Sequence, residues 1–283
     1  MLPTFMIIGA HKAGTTSLAE WLRNHPEAYI PALKEPRFFA FDPVDPVFIE
    51  KPRHIFSIRT MSEYEQLFSD SVGHKAVGEA SPQYLTSAYA CNAIFSALPS
   101  SQIVVSLRHP VLRAYSQYWM RVRLGREART FEDAFSSSEE WVMTSFYYEN
   151  VKRYVDRFGR SQVLALVFEK LIADPQSELV RLSDYLGIDV ALGTAALPSE
   201  NVGRISRIPA LNRLSDNRQL SLLSRKFVPR SVVRVFRSVT SKWSSPTPKL
   251  PPDRTAALTA RFREDIQRTE DLLQMDLSSH WLR

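Results

Sequence analysis

A lysine set inside a glycine-bracketed loop and followed by three hydroxyls, Gly9-Ala10-His11-Lys12-Ala13-Gly14-Thr15-Thr16-Ser17, is chemistry for gripping phosphate. The apolar run Phe5-Met6-Ile7-Ile8 before it suits a buried parallel strand, and Leu18, Trp21 and Leu22 after it recur at helical spacing. The loop therefore opens a helix, where first-turn N–H groups lack partners and the helix dipole favours an anion. Against the triphosphate pattern G-x-x-x-x-G-K-[ST] both glycines fit, but Thr15 stands in the lysine position and the lysine has moved to Lys12. That pattern uses its lysine and the next hydroxyl to hold terminal phosphates and Mg²⁺. A metal would also need a strand ending in Asp, yet the best candidate, Gln102-Ile103-Val104-Val105-Ser106-Leu107, ends in Arg108. Both features point to an anionic nucleotide held by protein cations without a metal. Taken alone, the loop is equally compatible with an ordinary strand-turn-helix corner.

The elements that must position these residues follow an alternating pattern. Residues 5–9, 76–79, 103–107 and 163–168 read as strands, and 15–25, 88–98, 110–124, 147–158 and 175–186 as helices. The expected fold class is α/β, a P-loop-like parallel β-sheet flanked by helices, with ligands at the strand C-terminal ends. Gly9, Glu79, Arg108 and Glu169 occupy those ends. Residues 26–60 carry six prolines and many aromatics, a stretch expected to fold over the nucleotide rather than join the sheet. A Pro-rich connection, Ser244 to Pro252, leads to a last helix from Asp253 to about Met275.

Composition bounds the partners. A chain of 283 residues can bury one large core, or one core with a small appended subdomain, and the balance of +6 favours anionic ligands without choosing among nucleotide, nucleic acid and acidic membrane. Cys91 is the single cysteine, so no intrachain disulfide forms, and it reads as a buried, inert thiol. The six histidines show no metal-ligand spacing, and no metal is expected. With no secretory leader pattern after Met1-Leu2-Pro3-Thr4 and no apolar run of 18 residues, the expectation is a cytoplasmic protein without a transmembrane segment. Between Asp216 and Asp253 every charged residue is basic, including Arg218, Arg225, Lys226, Arg230, Arg234 and Arg237. Interleaved apolar residues make this a helix packed on the core, with peripheral membrane contact as the sharper alternative.

Two phosphate motifs in this order resemble the PAPS-dependent sulfotransferase family, in its bacterial type related to the heparan and carbohydrate branch. Lys12 to Ser17 look like that family's loop for the 5'-phosphosulfate, and Leu107-Arg108-His109-Pro110 through Ser116 like its 3'-phosphate strand and helix. The likeness continues through Lys34-Glu35-Pro36-Arg37-Phe38-Phe39, Gly78-Glu79-Ala80-Ser81-Pro82-Gln83-Tyr84-Leu85 and Phe168-Glu169-Lys170-Leu171, covering roughly the first 210 residues. It implies a single sulfotransferase domain over 1–283, of which 205–283 is a helical, basic C-terminal part.

The resemblance also implies roles. Lys12 would stabilise charge growing on the leaving nucleotide, while Ala13, Gly14, Thr15, Thr16 and Ser17 offer N–H groups and hydroxyls to the 5'-phosphate. Arg108 and Ser116 would hold the 3'-phosphate, and Gly203, Arg204 and Arg207 a late nucleotide loop. Glu35 matches the family's general base, kept ionised by Lys34 and Arg37. Arg37, Glu79, Ser81 and Tyr84 would line the acceptor side. Arg113 is read as facing solvent, and Tyr147, Tyr148 and Tyr154 as packing residues. The chain departs from the glycosaminoglycan branch at Ala80, where that branch has a catalytic lysine, and in lacking the cysteines for its disulfide. The expected function is sulfuryl transfer from PAPS, giving PAP, to a hydroxyl or amine of a carbohydrate, glycolipid or other small acceptor, with no nucleic acid partner. The alternatives are a P-loop-type nucleotide kinase and a basic nucleotide or nucleic-acid binding module.

Overall fold

The computed structural model describes residues 2–42, 57–193, 197, 204–206 and 244–282. These form two compact units, one of 1–110, 146–200 and 258–283, the other of 111–145 and 201–257.

The first unit is built on a parallel sheet of β1 (Phe5–Gly9), β2 (Ala28–Tyr29), β3 (Ala76–Ala80), β4 (Gln102–Leu107) and β5 (Val163–Val167), ordered β2-β3-β1-β4-β5. From β1 the chain runs to the edge strand β2 and back to β3 beside β1, then crosses over to β4 and β5, so the connections leaving β1 and β4 run to opposite sides of the sheet. Such a reversal leaves a crevice at the C-terminal ends of β1 and β4, the usual ligand position in an open α/β sheet. Register carries both phosphate motifs there: Phe5 pairs with Gln102, Ile7 with Val104 and Gly9 with Val105. Gly78 is a packing requirement, since a Cβ on it would lie 2.5 Å from the Phe5 ring.

Helices follow where apolar positions recur with the 3.6 period. Helix α1 (Thr15–Arg23) buries Leu18, Trp21 and Leu22 against Phe5, Ile7, Val104 and Leu166 of the sheet. Helix α2 (Met61–Gln66) starts in a reciprocal cap between Thr60 and Glu63. Helices α3 (Ala88–Ala97) and α7 (Tyr148–Phe158) meet through Phe95 and Phe158, 5.1 Å between centroids, and Cys91 is buried beside them with its thiol pushed up to about 11 by burial. Tyr147 and Tyr154 are core residues, as expected. After β5 the chain turns directly into α8 (Phe168–Ala173) and α9 (Pro175–Leu186), the latter capped by Asp174 with proline at its first position.

The second unit contains α4 (Pro110–Arg123) from Val111 onward, α5 (Phe131–Ser136), α6 (Glu140–Met143), α10 (Pro252–Thr259) up to Ala257, and an antiparallel pair, β6 (Arg204–Ser206) with β7 (Ser244–Pro246). Arg113 corrects its reading as a solvent residue. It is 1% exposed, donates from Nε to Ser145 Oγ at 2.8 Å and from Nη2 to the Trp141 carbonyl at 2.5 Å, and so ties α4 to the chain around α6.

The last helix is not continuous. A tight turn at Ala260–Phe262 separates α10 from α11 (Arg263–Leu273) and places Phe262 fully buried, 4.6 Å from the Phe146 ring. Asp265 of α11 then accepts from the Tyr147 and Tyr148 amides at 2.7 and 3.1 Å, capping the start of α7. Helix α12 (Ser278–Trp281) follows, and Trp281 Nε1 donates to Glu169 Oε2 at 3.1 Å. Among the described residues no helix is long and apolar enough to cross a membrane. The basic stretch 217–243 lies outside the described residues.

Candidate active site

The loop at the end of β1 has the geometry expected of an anion cradle. Gly14 precedes α1 at φ +81°, the helix starts without a side-chain cap, and its first turn holds no acidic residue. The N-terminal N–H groups and positive dipole end are thus left to a ligand. Glycine is required at this position: besides the left-handed φ, a Cβ would lie 2.8 Å from the Phe168 ring. Two bonds from β4 hold the loop, Ala10 N–H to the Ser106 carbonyl at 2.8 Å and Ser106 Oγ to the Ala13 carbonyl at 2.6 Å.

Arg108 leaves the end of β4 and closes on the same loop. Its Nη1 donates to the Lys12 carbonyl at 2.9 Å, and its guanidinium stacks over Phe168 at 4.7 Å from the ring centroid. Burial lowers its pKa from the ordinary arginine value, with Glu169 opposing, and Nε is buried without a hydrogen-bond partner. A buried cationic donor with an unused N–H beside an uncapped helix start suits a phosphorylated ligand. Glu169 is structural: it accepts from the His109 amide at 3.0 Å and from Trp281, joining β4, α8 and α12. Ser116 lies on α4 in the other unit, about two turns into the helix. Arg204 is in β6, while Gly203 and Arg207 lie outside the described residues.

Glu35 stands on the opposite wall of a cleft of about 100 Å³ lined by Thr15, Thr16, Lys34, Glu35, Ala80 and Pro82, among others. Its Oε2 accepts from Arg37 Nη2 at 2.5 Å and from Gln83 Nε2 at 3.0 Å. Burial pushes the carboxyl up, but the hydrogen bonds from Gln83 and Arg37 and the charges of Arg37 and His11 outweigh it and leave the pKa below the ordinary glutamate value. The sequence alone assigns Gln83 no role, because a glutamine beyond a strand carries no signal of its partner.

Of the four described non-glycine residues with positive φ, three are Lys12 (69°), Glu35 (52°) and Arg37 (60°). Left-handed backbone costs a non-glycine residue roughly 1–3 kcal/mol and persists where surrounding structure holds it, most often at functional sites. Glu35 lines the cleft, Arg37 pairs with it, and Lys12 lies in the loop that leads into the α1 wall.

Glu79, Ser81 and Tyr84 correct their reading as acceptor contacts. They are 1%, 0% and 0% exposed, behind the loop rather than on the cleft surface. Sequence periodicity places the strand end but not its facing layer, which here is α2 and the 37–39 turn. Arg37 remains half-exposed beside Glu35.

A parallel sheet reversing at β1, an uncapped helix start and a strand-end arginine define an α/β protein of the P-loop-like class. The family model described as Sulfotransferase family matches residues 3–191, and the chain belongs to that family. It is similar to human heparan sulfate glucosamine 3-O-sulfotransferase 3B1, 27% identical over 198 residues, covering 66% of this chain and 46% of that protein. Mouse heparan sulfate glucosamine 3-O-sulfotransferase 6 is 27% identical over 197 residues, covering 66% of this chain and 52% of that protein. The chain thus spans about half the length of these relatives. The crystal structure of a sulfotransferase from Alicyclobacillus acidocaldarius aligns over 100% of both chains, with TM-score 0.71 and 29% identity.

Proposed function

We propose that this protein transfers a sulfuryl group from 3'-phosphoadenylyl sulfate to a hydroxyl, or to an amine, of a carbohydrate, glycolipid or other small acceptor, in the cytoplasm where the donor is made. The observation that carries the reading is the meeting of Arg108 with the Lys12 loop, while Thr15 and Thr16 of that loop share a cleft with Glu35. One bisphosphorylated nucleotide can then be gripped at both ends, with Lys12, Ala13, Gly14, Thr15, Thr16 and Ser17 on the 5' side and Arg108 on the 3' side.

Sulfuryl transfer, like phosphoryl transfer, needs in-line placement and charge stabilisation more than covalent help. As the bond to the leaving phosphate breaks, Lys12 and the α1 dipole stabilise the charge that develops there. Glu35, ionised at neutral pH, takes the proton of the attacking hydroxyl, with Arg37 and Gln83 fixing the carboxylate's direction. The kinase alternative is not favoured, because β4 ends in a cation instead of a carboxylate for Mg²⁺.

The test is transfer from labelled donor to a panel of glycans, lipids and phenols, by the wild type and Glu35→Gln. Labelled product from the wild type and a roughly 10²- to 10⁴-fold lower kcat in the variant are expected. Equal turnover in the variant removes Glu35 as the base, and failure of the wild type to bind PAP in calorimetry removes the nucleotide reading.

A further inference from the structure

A fully buried polar cluster of the first unit lies behind Glu35, and the proposed reaction does not use it. Glu79, at the end of β3, accepts three hydroxyl donors: Ser81 Oγ at 2.6 Å on Oε2, with Tyr84 Oη at 2.7 Å and Tyr64 Oη at 3.0 Å on Oε1. Two of those hydroxyls pass the interaction on. Ser81 Oγ accepts from the Arg37 amide at 3.0 Å, and Tyr84 Oη from the Phe39 amide at 3.3 Å. The carboxylate therefore orients both hydroxyls so that their lone pairs face the backbone of the left-handed segment carrying Glu35 and Arg37. Phe38 stacks on Tyr64 at 4.8 Å and adds an apolar hold to the same segment.

We infer that Glu79 is a positioning residue for the catalytic carboxylate, acting in its ionised form through Ser81 and Tyr84 on the Arg37 and Phe39 amides, and so sets the aim of the Glu35–Arg37 pair. This rests on the reading of Glu35 as general base.

The argument is one of donors and acceptors. Among the described residues, each group hydrogen-bonded to the Glu79 carboxylate is a hydroxyl donating to it: Tyr64 from α2, and Ser81 and Tyr84 from the connection after β3. From β1 comes the Met6 sulfur, 3.9 Å from Tyr64 Oη. From the 34–39 segment comes a like charge, Glu35, whose own partner is Arg37. Glu79 itself forms no ion pair among the described residues. A proton on Glu79 adds a donor where only donors stand. One hydroxyl must then turn and lose its partner, in a layer closed to water. Burial, aided by Glu35 and opposed by the three hydroxyls, pushes the carboxyl up to about 7, so this rearrangement falls within the working range of pH. Glu35 titrates well below that, since its pKa is lowered, and the two limbs are separable.

Two measurements test the inference. The first is kcat against pH from 5.5 to 8.5 for the wild type, Glu79→Gln and Ser81→Ala. The wild type should rise with pH along a single limb near 7, with KM for the donor nearly constant. Both variants should turn over roughly 10- to 100-fold more slowly at pH 8.5 and lack the limb, because a misaimed base costs rate and not donor binding. A flat wild-type profile, or a limb preserved in Glu79→Gln, overturns it. The second is hydrogen exchange at the Arg37 and Phe39 amides, which needs no turnover and is independent of Glu35 being the base. Protection should be high at pH 8.5, weaken below 7 after correction for intrinsic rates, and be lost for Arg37 in Ser81→Ala. Should Glu79→Gln fail to fold, Ser81→Ala and the wild-type exchange decide alone, and protection unchanged by pH or by Ser81→Ala refutes the inference.

Discussion

Replacing Glu79 by glutamine should change how stability depends on pH, and the magnitude follows from burial. The Glu79 carboxyl moves from its ordinary 4.5 to about 7 in the folded protein because burial penalises its charge. A raised folded pKa means that the native state holds the proton longer than the unfolded chain. Its stabilising contribution is then complete below 4.5 and lost as pH rises through 7. The span is worth about 3 kcal/mol. A second buried group hides this in the wild type: burial lowers His109 from 6.5 to about 4, so its contribution is present above 6.5 and lost as pH falls through 4. That is again about 3 kcal/mol, of opposite slope. The two nearly cancel where they overlap, and the wild-type curve should look flat there. The difference between Glu79→Gln and wild type removes His109 and every other group that does not interact with Glu79. Urea titrations of both proteins at pH steps from 4.5 to 8 should show the variant gaining about 3 kcal/mol relative to wild type across that range, whatever constant offset its altered hydrogen bonds add. A difference constant to within about 0.5 kcal/mol would refute the claim that Glu79 titrates in this window.

Gly14→Ala combines a left-handed φ of +81° with a Cβ 2.8 Å from Phe168, so it should cost roughly 2–4 kcal/mol, seen as a lower urea midpoint and weakened PAP binding in calorimetry. Arg108→Lys keeps the charge but gives up the fork, the stacking on Phe168 and the bond to the Lys12 carbonyl. PAP affinity should fall roughly 10- to 100-fold with little change in its salt dependence. Gly78→Ala pushes a methyl to 2.5 Å from the Phe5 ring and should lower stability by roughly 1–3 kcal/mol in the same urea titration.

The sheet and its flanking helices were legible because their signals are local. Phe5–Gly9 is one buried apolar run, Pro175–Leu186 shows a capping Asp, a first-turn proline and a closing glycine, and each appears as read. The strand expected over 163–168 ends at Val167, since Phe168 already opens a helix that brings its ring under Arg108. What escaped was tertiary. Neither β2, two residues long, nor α2 has enough sequence to show a period, yet α2 supplies Tyr64 to Glu79. Glu79, Ser81 and Tyr84 follow a strand like surface ligands of many α/β proteins. The covering layer, Tyr64 of α2 and the 37–39 turn whose amides Ser81 and Tyr84 receive, makes them interior.

That turn also explains why the site residues are the ones local rules describe worst. Lysine, glutamate and arginine have no preference for positive φ, yet Lys12, Glu35 and Arg37 all adopt it. For Lys12 the restraint comes from β4, through Arg108 on its carbonyl and Ser106 on the next residue. For Arg37 it comes from β3, through Ser81 and Glu79, and Arg37 in turn pairs with Glu35. The strands β3 and β4 flank β1 on either side, so the two walls of the cleft are each braced by a neighbour of the same central strand. Strain at both walls is thus sustained by hydrogen bonds issuing from one rigid sheet, which, on the proposed reading of Lys12 and Glu35, is the condition for the two to keep a fixed separation while a substrate enters.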